Sequence, residues 1–115
     1  MPTIAELKAG TLPVVVANHH GDVVEVNQPF ELTFGWTATE IIGQSLTQII
    51  PSYFHAVHEE GLARFTATGI CHIVNHPLRL RAITKHRGEI ESEHLIIAEK
   101  WHGQWVFAAS LRPLE

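Results

Sequence analysis

Apolar and polar positions alternate along this chain in two rhythms. Ile4 and Leu7 stand three apart, and Thr3 with Glu6 forms a T-x-x-E capping box, so residues 3–8 read as a short amphipathic helix. Residues 12–17 and 23–26 are rich in valine and flank "NHHGD", whose Asn18, Gly21 and Asp22 suit a tight turn, so a β-hairpin is expected there. Asn27 then caps a helix that accepts Pro29 in its first turn, repeats Phe30 and Phe34 four apart, and stops at Gly35. Thr37 with Glu40, closed by Gly43, and Ser45 with Gln48, before Pro51, make two further boxes, so three short helices follow the hairpin.

Residues 53–68 read as the longest helix, because Phe54, Val57, Gly61, Leu62 and Phe65 share one stripe, and Gly69 ends it. At about 100° per residue, His58 falls in the middle of that stripe and His55 at its edge. Glu59, Glu60, Ala63, Arg64 and Ala67 take the solvent arc. Beyond Gly69 the rhythm becomes that of strands: Ile73 and Val74, then Leu78, Leu80 and Ala82 alternating with Arg79 and Arg81. A turn at residues 85–88 leads to a strand over 93–99, and His102-Gly103 turns into 104–111, apolar enough for a central strand. Two strands, several helices and three strands predict an α+β fold, an antiparallel sheet with helices covering one face.

At 115 residues, 45% hydrophobic and 17% charged, the chain has the material for one folded, soluble domain. Its net charge of -4 has the wrong sign for a protein that binds by neutralising phosphates, so nucleic acid is not an expected partner. The apolar runs at 14–17 and 95–98 are far shorter than the ~18 residues of a membrane span. No basic segment followed by an apolar one opens the chain, so a cytoplasmic location without membrane contact is expected. Cys71 is the single cysteine, which excludes an intrachain disulfide and a multi-thiolate metal site. The nucleophile-elbow, phosphate-loop, dinucleotide and H-E-x-x-H motifs are all missing, and the chain does not read as an enzyme.

Nine histidines are the compositional anomaly. His19, His20, His86 and His102 fall in turns, where solvation accounts for them, and His55 with His58 lacks a third ligand for zinc. His58 is different, since its helix presents an imidazole toward the core.

The run "HGDVVEVNQPFELTFGWTATEIIGQSLTQIIP", with "TGICHIV", the Gly88 turn and the closing "FAASLRP", resembles a PAS domain over nearly the whole chain. The resemblance implies a five-stranded antiparallel sheet with short helices and one longer helix on one face. It places a cap helix at residues 1–10 and the domain at 11–115. It also implies a sensory role, with a ligand pocket between sheet and helices and an output domain or partner signalling protein as the receiver. Within the family, residues 51–64 are similar to the haem-binding domains of the FixL and direct-oxygen-sensor type. Those carry the proximal haem histidine seven residues after the proline, where His58 stands relative to Pro51.

That likeness implies haem b held by His58, with Arg64 on a propionate, Phe54, Leu62 and Phe65 along the helix, and Leu95 and Ile97 as an apolar distal wall. The gas sensed would be O2, CO or NO. A neutral imidazole in an apolar slot with a cation close by is what haem iron and its propionates require. The distal position is ambiguous, because counting from His58 reaches Leu78 and counting back from Gly88 reaches Arg79, two residues on opposite faces of a strand. His76 lies in the same region as a candidate sixth ligand. Against haem stand a histidine that merely bonds a backbone carbonyl, a cofactor-free module for homodimerisation and signal relay, and a pocket for flavin or a small metabolite. Trp101, Trp105 and Phe107 are expected under the N-terminal helix or on a dimer face. Cys71 is not where light-sensing relatives attach a chromophore.

Overall fold

The computed structural model describes residues 3–68 and 77–114. Its elements are α1 (Ile4–Ala9), β1 (Val14–Ala17), β2 (Val23–Val26), α2 (Gln28–Phe34), α3 (Ala38–Ile41), α4 (His55–Thr68), β3 (Leu78–Ile83), β4 (Glu89–Trp101) and β5 (Gln104–Pro113). Single 3₁₀ turns at Leu46–Gln48 and Ser52–Phe54 join α3 to α4. The end of the long helix expected at Gly69 and the strand residues Ile73 and Val74 lie outside the described residues.

Local chemistry explains the elements. Thr3 with Glu6 and Thr37 with Glu40 close complete capping boxes on α1 and α3. The third box is not completed: Ser45 Oγ accepts from the Thr47 amide and supports only a 3₁₀ turn. Asn27 Oδ1 accepts from the Phe30 amide and from the Val14 amide, so one side chain caps α2 and ties it to β1. Gly35, at φ +82°, ends α2 in the left-handed conformation.

The five strands form one antiparallel sheet in the order β2-β1-β5-β4-β3, with β5 at its centre. Strand β4 runs from Glu89 to Trp101, longer at both ends than the expected 93–99. Strand alternation sorts the sheet into two faces. On the outer face, α1 lays Ile4 and Leu7 over Val14, Val16, Ile97, Val106 and Ala108. The Ile4 amide donates to Glu99 Oε2 at 2.8 Å, fastening the start of α1 to β4. On the inner face, Val15, Val23, Ala82 and Leu111 pack with Phe30, Phe34, Ile41 and Ile49 into the main core. Phe30 and Phe34 stack at 5.2 Å. Cross-strand pairs Leu78–His94, His94–Leu111 and Ile96–Ala109 put Leu78, His94 and Ile96 on that inner face too.

This register corrects several expectations. Ile97 lies in the cluster under α1, and Leu95, two residues away, shares its outer face, so neither lines the helix-covered side. Arg79 is also on the outer face and exposed, whereas Leu78 faces inward. The cause is the two-residue turn at His102-Gly103, both at positive φ, which pairs Trp101 with Gln104 and fixes the parity of every residue along β4. Trp105 and Phe107 do not pack under α1; both meet Phe65 of α4, at 4.8 and 5.1 Å.

Candidate ligand site around His58

Helix α4 begins on a fixed platform. The Phe54 amide bonds the Pro51 carbonyl, and the ring N–H of His55 donates to the Ile50 carbonyl at 2.7 Å. His55 is therefore a helix-start anchor. Tyr53 donates its hydroxyl to Glu89 Oε1, and that carboxylate raises the pKa of the phenol. Farther along, Phe65 sits edge-on to Trp105 and Phe107. Between these attachments α4 crosses the hairpin turn at Gly21, where a Cβ would stand 2.9 Å from Leu62 Cδ2. Gly21 also has φ +83°, and it is this conformation that demands glycine there, since the Leu62 methyl could swing aside.

A cavity of about 400 Å³ opens between α4, the β1–β2 turn and the first 3₁₀ turn with its cap Ser45. His58, Glu59, Leu62 and Ala63 form one wall, His19, His20 and Gly21 a second, and Ser45 and Thr47 a third. The second wall is built by Asn18, whose Oδ1 accepts from the His20 and Asp22 amides. The third is held by backbone bonds from Gly43 to Val23, Val23 to Gln44 and Leu46 to Gly21. Three segments far apart in sequence thus converge on one imidazole.

His58 Nδ1 is buried there and has no hydrogen-bond partner among the described residues. Burial, the largest influence, lowers the pKa of His58, opposed by Glu59 and reinforced by His55. The ring is neutral at pH 7, the form that ligates a metal or exchanges hydrogen bonds with a neutral ligand. Leaving a buried polar atom unmatched costs roughly 1–3 kcal/mol, which a bound hydrogen-bonding group would recover.

Of the residues grouped around haem by resemblance, the structure brings His58 and Leu62 to this cavity. Phe65 is buried against the sheet, and half-buried Phe54 lies tilted against the Tyr53 ring at 4.9 Å. Arg64 is two-thirds exposed and pairs with Glu60 one turn back. A neutral imidazole answers the axial need of haem, but the cavity walls carry imidazoles, hydroxyls and a carboxylate, and the Arg64–Glu60 pair lies on the solvent side. His76 and Cys71 lie outside the described residues. Among the described residues no three histidine, cysteine or acidic side chains are arranged to hold a metal ion.

His94 carries a signal that residue spacing overlooked. Its Nε2 lies 2.7 Å from Ser92 Oγ, with Ser92 fully buried, and burial pushes its pKa down to about 4. Counting back from the His102-Gly103 turn would have found it, because that turn sets His94 on the same face as Phe107.

The family model described as the PAS fold matches residues 8–106. An uncharacterized protein of Azorhizobium caulinodans is 30% identical over 102 residues, 88% of this chain but 14% of that protein, so the chain spans a small part of its relative. The PAS domain of a Desulfitobacterium hafniense protein superimposes with a TM-score of 0.75 at 21% identity, covering 94% of this chain and 97% of its own. The PAS domain of the quorum-sensing receptor RpfR from Cronobacter turicensis, solved in complex with C12:0, gives 0.70 at 15% identity, covering 92% and 96%.

Proposed function

This chain belongs to the PAS family, and from that premise we propose that it is a sensor whose input is a small organic molecule bound against His58. PAS domains are sensory rather than catalytic modules that signal to output domains, and no described helix is long and apolar enough to cross a membrane. The observation that carries the reading is the buried, unpartnered Nδ1 of His58 at the wall of a cavity of about 400 Å³. Clefts of ~300–1,000 Å³ accommodate small ligands, and a few polar groups among apolar ones fix their orientation. Ser45, Thr47 and the two turn histidines offer such groups, with Leu62 as the apolar face. A ligand there touches α4, the β1–β2 turn and the 3₁₀ segment at once. Its binding biases how α4 sits on the sheet, the population shift that an output domain would read. The RpfR domain, solved with C12:0, supports the idea that this fold accepts small organic ligands.

A second reading, haem held by His58 as the axial ligand, is favoured by the same neutral imidazole. Haem, when bound, supplies an iron that takes O2, CO or NO. One experiment separates the readings. The purified chain is incubated with a cell extract or with haem, its absorption spectrum is recorded, and the molecules released on denaturation are identified by mass spectrometry. A released organic molecule that His58→Leu fails to retain supports the first reading. A Soret band lost in the same variant moves the assignment to haem. Neither a retained molecule nor a Soret band overturns both.

A further inference from the structure

We propose that the groove between the β1–β2 turn and the β4–β5 hairpin is a second binding site, specific for a small planar carboxylate. It has a volume of about 240 Å³ and is lined by His19, Lys100, Gly103, Gln104 and Trp105. Its polar groups are an ammonium, a side-chain amide and an imidazole, and among the described residues no carboxylate side chain lines it. Lys100 and Trp105 face each other across the β4–β5 ladder, and Lys100 Nζ stands 5.3 Å from the indole centroid. That is within cation–π range, so the ring holds the ammonium in place without neutralising it. Among the described residues Lys100 enters no ion pair, whereas Lys8, Lys85 and Arg112 each meet a glutamate. Arg79, Arg81 and Arg87 also enter no ion pair among the described residues, but only Lys100 lines a groove, where its ammonium can give a charge-assisted hydrogen bond to an anion.

Shape supports a flat ligand. Gly103 has open space where a Cβ would stand, so a planar group can approach the turn backbone closely. Phe65 abuts Trp105 edge-on at 4.8 Å, fixing the indole that forms the opposite side. The groove also communicates with the first site, because His19 lines both cavities and Phe65 belongs to the same helix as His58. A carboxylate on Lys100 would therefore sit against the turn that walls the other cavity, and would reach α4 only through the Trp105 indole packed on Phe65.

The test uses benzoate and its neutral counterpart benzamide, titrated into the ¹⁵N-labelled chain while the Trp105 indole N–H resonance is followed. Benzoate is expected to shift that resonance saturably and to bind about tenfold more tightly than benzamide, as one charge-assisted hydrogen bond supplies. Lys100→Gln, at an exposed position that leaves the fold intact, should abolish the preference for the acid. His58→Leu should leave benzoate binding unchanged, which separates this site from the one under α4. Equal binding of acid and amide, a preference that survives Lys100→Gln, or no saturable shift with either probe would each overturn the proposal.

Discussion

The inner face of the sheet is covered in two ways. At one end α2, α3 and the first 3₁₀ turn seal a dry core in which Phe30, Phe34, Ile41 and Val23 are at most 1% exposed. At the other end α4 contributes Phe65 as its only buried side chain among the described residues, and Leu78, Leu80, His94, Ile96 and Phe107 are only half-buried. The first end has its polar groups matched: Asn27 satisfies amides from two elements, and the Trp36 indole donates to the Ile83 carbonyl. The second end contains the unmatched His58 Nδ1 and a histidine whose pKa is pushed down to about 4. Stability is concentrated where packing is complete, and the capacity to bind and respond lies where it is not.

The largest effect should come from the sealed end. Phe30→Ala removes a wholly buried ring that stacks on Phe34, and is expected to cost ~3–5 kcal/mol in urea unfolding. Phe65→Ala should cost roughly 2 kcal/mol, below the usual range for a buried phenylalanine, because its neighbours Trp105 and Phe107 are half-buried and can relax into the space. Equal losses would erase the distinction between the two ends.

A pH titration comes next. His94 is neutral in the folded chain down to about 4 but protonates near its ordinary value of 6.5 when unfolded. Between those values the unfolded state binds more protons, so the His94 contribution to stability falls as pH drops from 6.5 and is exhausted below 4, by up to roughly 3 kcal/mol. Thermal midpoints measured across that window should decline in the wild type. The decline should be smaller in His94→Leu, and parallel curves would remove His94 as its source.

How far the amino-acid pattern discloses these features depends on the range of the forces involved. The caps at Thr3, Asn27 and Thr37, the glycine turns and the five strands are decided within a few residues, and all are visible in sequence. The position of His58 on the helix face is visible too, since periodicity suffices. Its neighbours are not: His19, His20, Ser45 and Thr47 reach it through the bridge between Asp22 and Ser45 and the bonds around Gly43, pairings across twenty residues or more. The resemblance that implies Leu95 and Ile97 as a distal wall does not fix which face of β4 they take. The parity of β4 is instead locked to its central neighbour β5 by the turn at His102-Gly103. Period-2 alternation makes a one-residue slip exchange the faces completely.

The smallest expected effect has the opposite sign, and it bears most directly on what the loose end is for. In a ligand-free chain, His58→Leu exchanges an imidazole with a buried, unpartnered nitrogen for an apolar side chain of similar size. Removing such a polar atom is neutral or stabilising, so unfolding should become harder by about 1 kcal/mol, seen as a higher urea midpoint with an unchanged slope. The same change at a satisfied histidine would destabilise. His55, whose ring N–H meets the Ile50 carbonyl, supplies that control, and His55→Leu should lower the midpoint. A gain at position 58 beside a loss at position 55 means that the fold tolerates a stability cost at one residue of α4 and not at another three residues away. Such a cost is what a binding group at a functional site carries. A loss at both positions would instead make His58 a structural side chain and return the cavity beside it to ordinary surface.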